Sequence, residues 1–278
     1  MRRSLKLLLI IASMLYLSMA GYLYYAQRSF IYNPPLPHER LKDISTYDLG
    51  KTQDVYLTTT DNVKLHAWYH PPTAPCKTII LFLHGNAELL DARKDKIDKL
   101  REMGYGFLLL AWRGYGNSEG EPSKEGIYED AHTAIKFLQG EGYDLATQVI
   151  VLGESLGTGV GAHIATIYQF RGLMLLSPYT SIQDMAQAQY PYMPIKYLLT
   201  EDLSTVRYMP NIHTPVLVMH GNRDHIIPYQ HSEALIHHVP EPKRLIIYDG
   251  VRHVDFDTTK IFTEMEDFFG LTCQRSTK

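Results

Sequence analysis

The sequence predicts an α/β fold, with a mostly parallel, twisted sheet that is covered by helices on both faces. Between residues 78 and 269, apolar segments of strand length alternate with longer segments of helical periodicity. The strand segments are apolar throughout rather than at every second position, which is typical of parallel strands buried on both faces. Their alternation with helices indicates right-handed strand–helix–strand units.

Length and composition favour one α/β domain with a sizeable core, preceded by an anchor. The chain has 278 residues, of which 45% are hydrophobic and 21% are charged. Its net charge of −3 gives no broad basic field, so we expect no nucleic-acid partner. Cys76 and Cys273 lie far apart in the sequence, so they form neither a metal-ligand spacing nor a disulfide framework.

The N-terminus predicts a transmembrane helix. Met1–Lys6 is basic, and no residue of Leu7–Tyr25 is charged, which is close to the ~20 residues that cross a bilayer. Three tyrosines at its end suit a membrane interface, and the basic start places the N-terminus in the cytoplasm and the following domain outside. The alternative is a signal peptide cleaved near Ser18–Ala20, which would release a secreted or periplasmic protein.

We expect three regions along the chain. Residues 1–26 form the anchor or signal peptide, residues 27–53 form a connector that includes the proline-rich Asn33–Pro37, and residues 54–278 form the domain. The domain begins with a predicted hairpin, in which Val55–Thr58 and Val63–Tyr69 flank a turn at Asp61-Asn62.

The remaining elements follow the strand and helix alternation. Buried strands are predicted at Thr78–Leu83, Gly106–Trp112, Gln148–Leu152, Leu173–Ser177, Val216–Gly221 and Arg244–Tyr248. Helices are predicted at Leu89–Met103, Lys124–Gln139, Gln230–His238 and Lys260–Phe269. The segment at about 178–213 is rich in tyrosine and proline, and we expect a small helical cap above the carboxyl ends of the strands, where ligands bind.

Gly153–Gly157 predicts a nucleophile elbow. It reads Gly-Glu-Ser-Leu-Gly, follows a β-branched strand and precedes a small-residue helix. Ser155 is the candidate nucleophile, because the flanking glycines leave its hydroxyl clear of neighbouring bulk. The backbone N–H of Leu156 at the helix start is a candidate oxyanion donor.

Two later strand ends supply the partners that a serine nucleophile needs. Asp224 is the candidate acid after the strand that ends near Met219, and His253 is the candidate base after the last strand. The order Ser, Asp, His is one that such triads take. Asp249 and Asp255 are rival acids, although Asp249 lies too close in sequence to His253 for the usual geometry.

A second oxyanion donor is expected in His84–Ala87, between an early strand and its helix, where the backbone N–H of Asn86 is the candidate. We expect no metal and no cofactor, because the later histidines lack a carboxylate and cysteine set with ligand spacing. Those histidines are His220, His225, His231, His237 and His238.

Several motifs between Gln27 and about Phe269 together resemble a known family. They are Gln27–Tyr32, His84–Ala87, Arg113–Gly120, Gly153–Gly157, Thr180–Ile182, and Gly221–Asp224 followed by Pro228. On these residues the chain resembles the α/β-hydrolase superfamily, in particular its single-pass, membrane-anchored branch with a short helical cap. Trp112 and Thr158 depart from the usual pattern of that family, and neither belongs to the candidate triad.

The resemblance implies hydrolysis of esters, thioesters or amides, with lipid acyl groups among the substrates because the anchor keeps the site near a bilayer. Our leading hypothesis is a serine hydrolase that cleaves ester or thioester bonds through an acyl-enzyme. One alternative is a serine peptidase or amidase, with Glu154 or Glu88 reading a substrate amine. Another is a membrane-tethered binding protein that kept the fold without the chemistry.

Overall fold

The computed structural model describes residues 2–35, 41–87, 89–271 and 273. Met1, Leu36, Pro37 and Glu88, which the sequence analysis used, lie outside the described residues. Eight strands form one sheet in the order β1-β2-β4-β3-β5-β6-β7-β8. They are β1 (Gln53–Thr58), β2 (Lys64–His70), β3 (Ile79–Leu83), β4 (Gly106–Leu110), β5 (Val149–Glu154), β6 (Gly172–Leu176), β7 (Val216–Gly221) and β8 (Lys243–Tyr248).

The sheet is mostly parallel, as the sequence predicted. Strands β3 to β8 pair in parallel, whereas β1 and β2 form an antiparallel hairpin that joins the sheet beside β4. Strand β4 ends at Leu110, before the predicted end at Trp112, because the chain turns there towards the Arg113–Gly120 loop. Strand β8 is partly exposed along its whole length, because it is an edge strand with β7 as its one neighbour.

The helices lie on both sides of the sheet and at its carboxyl edge. They are α1 (Arg2–Ile31), α2 (Lys94–Glu102), α3 (Lys124–Gly140), α4 (Leu145–Gln148), α5 (Leu156–Ala165), α6 (Ile182–Gln189), α7 (Ile195–Leu198), α8 (Thr205–Tyr208), α9 (Gln230–Ile236) and α10 (Thr258–Phe269). Short 3₁₀ turns occur at Ile44–Thr46, Leu90–Arg93 and Met209–Asn211. The predicted helix at Leu89–Met103 therefore begins as a 3₁₀ turn, and α6 to α8 form the helical insertion between β6 and β7.

Successive residues of each buried strand point to opposite faces, so the sheet has a core on each side. In β3, Ile79 and Leu81 belong to the core that includes α3 and α5, whereas Ile80 and Phe82 belong to the core that includes α2 and α10. Each of these four side chains is fully buried. The continuous apolar pattern of this strand follows from burial on both faces.

Helix α1 extends beyond the predicted anchor boundary at residue 26 and ends at Ile31. Its last turns pack against the domain, where Leu23, Gln27 and Ile31 are buried, while its N-terminal half is exposed. The segment Arg3–Ile31 is long and apolar enough to cross a membrane, although a signal sequence passes the same test. The residues from Gln27 to Ile31 are thus helical and docked, rather than part of an extended connector.

The two cysteines form a disulfide, so the expectation drawn from their spacing was wrong. Cys76 and Cys273 are bonded with their Cα atoms 4.8 Å apart, although 197 residues separate them in sequence. Cys76 precedes β3 and Cys273 follows α10, and both pack at the core shared by α2 and α10. The number of residues between two cysteines does not show whether they are close in the folded protein. The pairing of Cys76 with Cys273 could therefore not be predicted from their spacing.

Candidate active site

Ser155 lies on a sharp turn between the end of β5 and the start of α5. Its backbone has φ 51° and ψ −115°, a strained conformation for a residue with a side chain. The turn also needs Gly157, because a Cβ there would lie 2.0 Å from the carbonyl oxygen of Leu83. A Cβ at Gly153 would likewise lie 2.8 Å from the carbonyl oxygen of Gly157. The two glycines permit the tight packing that leaves the hydroxyl of Ser155 exposed to a cavity.

The structure brings His253 and Asp224 to Ser155. The Nε2 atom of His253 lies 3.0 Å from the Oγ atom of Ser155, and its Nδ1 atom lies 2.6 Å from the Oδ2 atom of Asp224. Because an ionised carboxylate accepts hydrogen bonds only, the imidazole donates from Nδ1, which leaves Nε2 to accept the Ser155 proton. This is the arrangement in which a base can activate a serine hydroxyl.

Asp224 is held as an anion by four donors. Burial opposes its ionisation, but hydrogen bonds from His220, His253 and the backbone outweigh that effect and hold its pKa well below the usual value. Its Oδ1 atom accepts from the amides of Ile226 and Ile227, each at 2.8 Å, and its Oδ2 atom accepts from both histidines. The carboxylate therefore stays charged and fixed beside the imidazole of His253.

His220 contacts the carboxylate of Asp224, a role that its sequence context did not predict. This residue ends an apolar run in β7 and is fully buried. Its Nδ1 atom lies 2.6 Å from the hydroxyl of Ser232, and its Nε2 atom lies 3.1 Å from Asp224 and 2.9 Å from the carbonyl of Ile227. Since both partners of Nε2 are acceptors, Nε2 carries the proton. A polar residue in a buried strand, four positions before Asp224, was the signal that could have revealed this contact.

The loop that contains Asn86 approaches the nucleophile closely. A Cβ at Gly85 would lie 3.3 Å from the Cβ atom of Ser155. Within the part of the chain that the structure describes, the backbone amides of Asn86 and Leu156 donate to no other protein group. Both amides therefore remain free to bind an oxyanion, the role that the sequence predicted for them.

His84 and Trp112 stabilise the loop that contains Asn86 through hydrogen bonds to its backbone. Burial and the nearby Arg93 lower the pKa of His84 to about 3, so the ring is neutral. Its Nδ1 atom donates to the carbonyl of Gly85 at 2.7 Å, while the indole of Trp112 donates to the carbonyl of His84 at 3.0 Å. Trp112, which departs from the family pattern, thus supports the loop. Thr158, the other departure, donates its hydroxyl to the carbonyl of Ser155 at 2.6 Å.

Glu154 is buried and ion-paired, which limits it as a reader of a substrate amine. Its two carboxylate oxygens lie 3.0 Å from Arg93 and 3.0 Å from Lys96. Burial raises its pKa, but the two cations outweigh that effect and lower the pKa to about 2. Its charge is therefore already compensated inside the protein.

The rival acids and the other histidines lie outside the series Ser155, His253 and Asp224. Asp249 accepts from Asn222 at 2.8 Å, and Asp255 lies at the rim of the cavity, while Asp224 contacts His253. His231 contacts Thr180 at 2.9 Å. Among the described residues, no group of three His, Cys, Asp or Glu side chains could hold a metal ion.

A cavity of about 1020 Å³ opens above Ser155, a volume at the upper end of that of sites that hold small organic ligands. Its walls come from the end of α1, the Asn86 loop, the cap helix α6 and the His253 loop. The apolar part of the lining includes Phe30, Ile31, Leu156, Ile182, Met185 and Ile226. The cavity therefore adjoins both the cap and the N-terminal helix.

Comparison with known proteins places the chain in a family. The family model described as "Serine aminopeptidase, S33" matches residues 74–206 and 197–256. An uncharacterized protein of Mycobacterium tuberculosis is 33% identical over 233 residues, which cover 82% of this chain and 81% of that protein. The alpha/beta hydrolase domain-containing protein WAV2 of Arabidopsis thaliana is 30% identical over 200 residues, 66% of this chain and 65% of that protein.

A solved structure shows the same fold. The esterase Pf2001 of Pyrococcus furiosus superposes with a TM-score of 0.70, covering 86% of this chain and 97% of that chain. The two sequences are 20% identical, so this likeness concerns the fold alone.

Proposed function

This chain belongs to the serine aminopeptidase S33 family of α/β-hydrolases, and from that membership we propose that it is a serine hydrolase that cleaves ester or thioester bonds. The observation that carries the proposal is the hydrogen-bonded series Ser155, His253 and Asp224, with distances of 3.0 Å and 2.6 Å. Lipid acyl groups are the favoured substrates, because the cavity adjoins an apolar N-terminal helix.

The geometry supports a two-step mechanism. As the Oγ atom of Ser155 attacks the carbonyl carbon, its proton passes to Nε2 of His253, and Asp224 stabilises the imidazolium that forms. The amides of Leu156 and Asn86 bind the negative charge that develops on the carbonyl oxygen. His253 then gives its proton to the leaving alcohol or thiol, and water, activated by the same base, hydrolyses the acyl-enzyme.

A fluorophosphonate probe tests this assignment, because it modifies only an activated serine. The folded wild-type protein should be labelled at Ser155, and a Ser155→Ala variant should not. Hydrolysis of p-nitrophenyl esters of graded chain length should then define the acyl preference. Folded wild-type protein that is neither labelled nor active on any ester would favour the non-catalytic binding protein instead.

A serine peptidase or amidase is the second candidate, and the description of the family model favours it. The compensated charge of Glu154 argues against recognition of a substrate amine at that residue. Comparing turnover of matched ester and amide substrates separates the two activities. Faster cleavage of the amide than of the ester would replace our proposal with the peptidase.

We also propose that α1 anchors the protein in a membrane, with the N-terminus in the cytoplasm and the hydrolase domain outside. The length and hydropathy of Arg3–Ile31 support the span, and the basic residues at its N-terminal end support the orientation. The Cys76–Cys273 disulfide fits an oxidising compartment. Protease protection of the domain in sealed vesicles tests the orientation, and N-terminal sequencing of the mature protein tests the alternative of signal cleavage.

A further inference from the structure

The cap contacts helix α1 in the middle of the segment that is predicted to span the membrane. The hydroxyl of Tyr16 donates to the backbone carbonyl of Tyr192, at 3.0 Å. Tyr16 is the central residue of the uncharged segment Leu7–Tyr25, which at 1.5 Å per residue is about 28 Å long, close to the thickness of the hydrocarbon core of a bilayer. A bilayer that covers this segment therefore also reaches the part of the cap that contains Tyr192.

That part of the cap has the composition of a membrane-inserted segment. We call residues 190–197, which follow α6 and include the first three residues of α7, the cap tip. Lys196 is the one charged residue of the cap tip, and no residue between Met185 and Ile195 is charged. Two large side chains of the cap tip are almost fully exposed, Tyr192 at 89% and Tyr197 at 81%. Exposed aromatic side chains that are grouped on one segment are typical of a surface that contacts a partner or a membrane.

The backbone carbonyls of the cap tip also have hydrogen-bond donors within the protein, which a hydrocarbon environment requires. The backbone amides of Met193 and Ile195 donate to the carbonyls of Tyr190 and Met193, at 3.0 Å and 2.9 Å, and the side-chain amide of Gln187 donates to the carbonyl of Pro191 at 3.2 Å. The carbonyl of Tyr192 accepts from Tyr16. An unpaired carbonyl costs several kcal/mol in hydrocarbon, so the pairing of all four consecutive carbonyls removes the main obstacle to insertion.

The cap tip is connected directly to the cavity. Helix α6 lines the cavity with Ile182, Met185 and Gln189 and then runs into the cap tip. Phe30 and Ile31, the last residues of α1, line the same cavity. The cavity thus adjoins both segments that would meet the lipid.

We propose that the cap tip inserts into the bilayer leaflet on the side of the hydrolase domain, so that the cavity takes its acyl substrate from the membrane. This inference rests on the proposed function and on α1 as an anchor. The partner is the lipid bilayer itself, which fits a tyrosine-rich surface that has a single lysine near its end and lies beside a membrane-spanning helix.

The depth of the cap tip can be measured without any catalytic assay. In the full-length protein reconstituted into vesicles, a Tyr192→Trp variant reports contact with lipids that are brominated on their acyl chains. The native Trp68 and Trp112 are buried and give a constant background. The matched control is Tyr56→Trp, at a half-exposed tyrosine on β1. We expect about twofold quenching of the added fluorescence at position 192 and none at position 56. Equal quenching at the two positions would overturn the insertion.

Activity assays then test the route of the substrate. Tyr192→Asp and Tyr197→Asp should lower turnover of a long-chain ester embedded in vesicles about tenfold, because a carboxylate resists entry into the bilayer. Turnover of a short water-soluble ester and fluorophosphonate labelling of Ser155 should stay unchanged. Equal losses of turnover on the embedded ester and on the soluble ester would show that the membrane route is wrong. Unchanged turnover of both esters in the two variants would show the same. A wild-type protein that cleaves neither ester refutes the proposed function, while the quenching result still decides the insertion.

Discussion

The side-chain amide of Asn86 donates a hydrogen bond to the backbone carbonyl of Ile31, the last residue of α1, at 3.0 Å. The carbonyl of Asn86 in turn accepts from the amide of Asn33 and the hydroxyl of Tyr115, each at 3.1 Å. The end of the N-terminal helix and the predicted oxyanion loop are therefore one hydrogen-bonded unit. Helix α1 helps to shape the site, in addition to its proposed role as an anchor.

An Asn86→Ala substitution should lower kcat on a short soluble ester about fivefold, because it removes one net hydrogen bond that positions the loop, worth ~1 kcal/mol. KM should change little, since the oxyanion donor acts mainly in the transition state. Steady-state kinetics give both constants. Asn211→Ala, at an exposed asparagine of the cap, is the control. A change in KM alone would show that the side chain of Asn86 acts in substrate binding instead.

His220 should act as a positioning residue through Asp224. A His220→Leu variant removes a donor to a buried carboxylate, which is worth about 1.5–3 kcal/mol, so kcat/KM should fall at least about tenfold. His220→Gln keeps a donor in a similar place and should restore part of that loss. Melting temperatures of both variants distinguish misplacement of Asp224 from unfolding. An unchanged kcat/KM in His220→Leu would mean that the other three hydrogen-bond donors are enough to keep Asp224 in place.

The order of strands and helices could be predicted from the sequence, because each buried strand is a short apolar run that ends at polar or turn-forming residues. Strand β3 was predicted to within one residue, and Ser155, Asp224 and His253 were placed at strand ends on the same reasoning. Hydrogen-bond partners were not predictable in this way. The contacts from His220 to Asp224 and from Asn86 to Ile31 depend on side-chain directions that no sequence period encodes.

The contacts of α1 were missed for a related reason. Hydropathy distinguishes lipid-facing from water-facing segments, but it does not distinguish a helix that ends at the membrane from one that continues into a domain. Gln27 is buried because its side-chain oxygen accepts from the amides of Thr200 and Glu201, at 2.7 Å and 3.1 Å. Those partners lie more than 170 residues away in sequence.

A Gly157→Ala substitution should prevent the elbow from forming. The added methyl would overlap the carbonyl oxygen of Leu83, and neither backbone can move without disturbing the sheet. We expect a loss of about 3 kcal/mol in the free energy of unfolding, together with loss of fluorophosphonate labelling. Urea denaturation measures the first and the probe measures the second. Gly140→Ala, where nothing lies within 4 Å of the new methyl, is the matched control and should be neutral. Equal stability of the two variants would contradict the packing argument.

Glu154 should make the protein sensitive to acid. Its pKa falls from the model-peptide value of 4.5 to about 2 in the folded protein, because Lys96 and Arg93 outweigh the opposing effect of burial. A carboxyl group with a lowered folded pKa contributes its stability above the unfolded pKa and loses it as the pH falls through the folded value. At 1.36 kcal/mol per pKa unit, this contribution is roughly 3 kcal/mol at neutral pH.

A Glu154→Gln variant should therefore be less stable than the wild type by roughly 3 kcal/mol at pH 7, and this difference should shrink as the pH falls from about 4.5 to about 2. Chemical denaturation across that pH range measures the difference directly. Glu102→Gln is the control, because the Glu102 side chain is 67% exposed and its surface pair with Lys99 contributes little. A difference between wild type and Glu154→Gln that widens in acid would have the wrong sign for a stabilised carboxylate. It would mean that Glu154 is protonated in the folded protein and does not form ion pairs with Arg93 and Lys96.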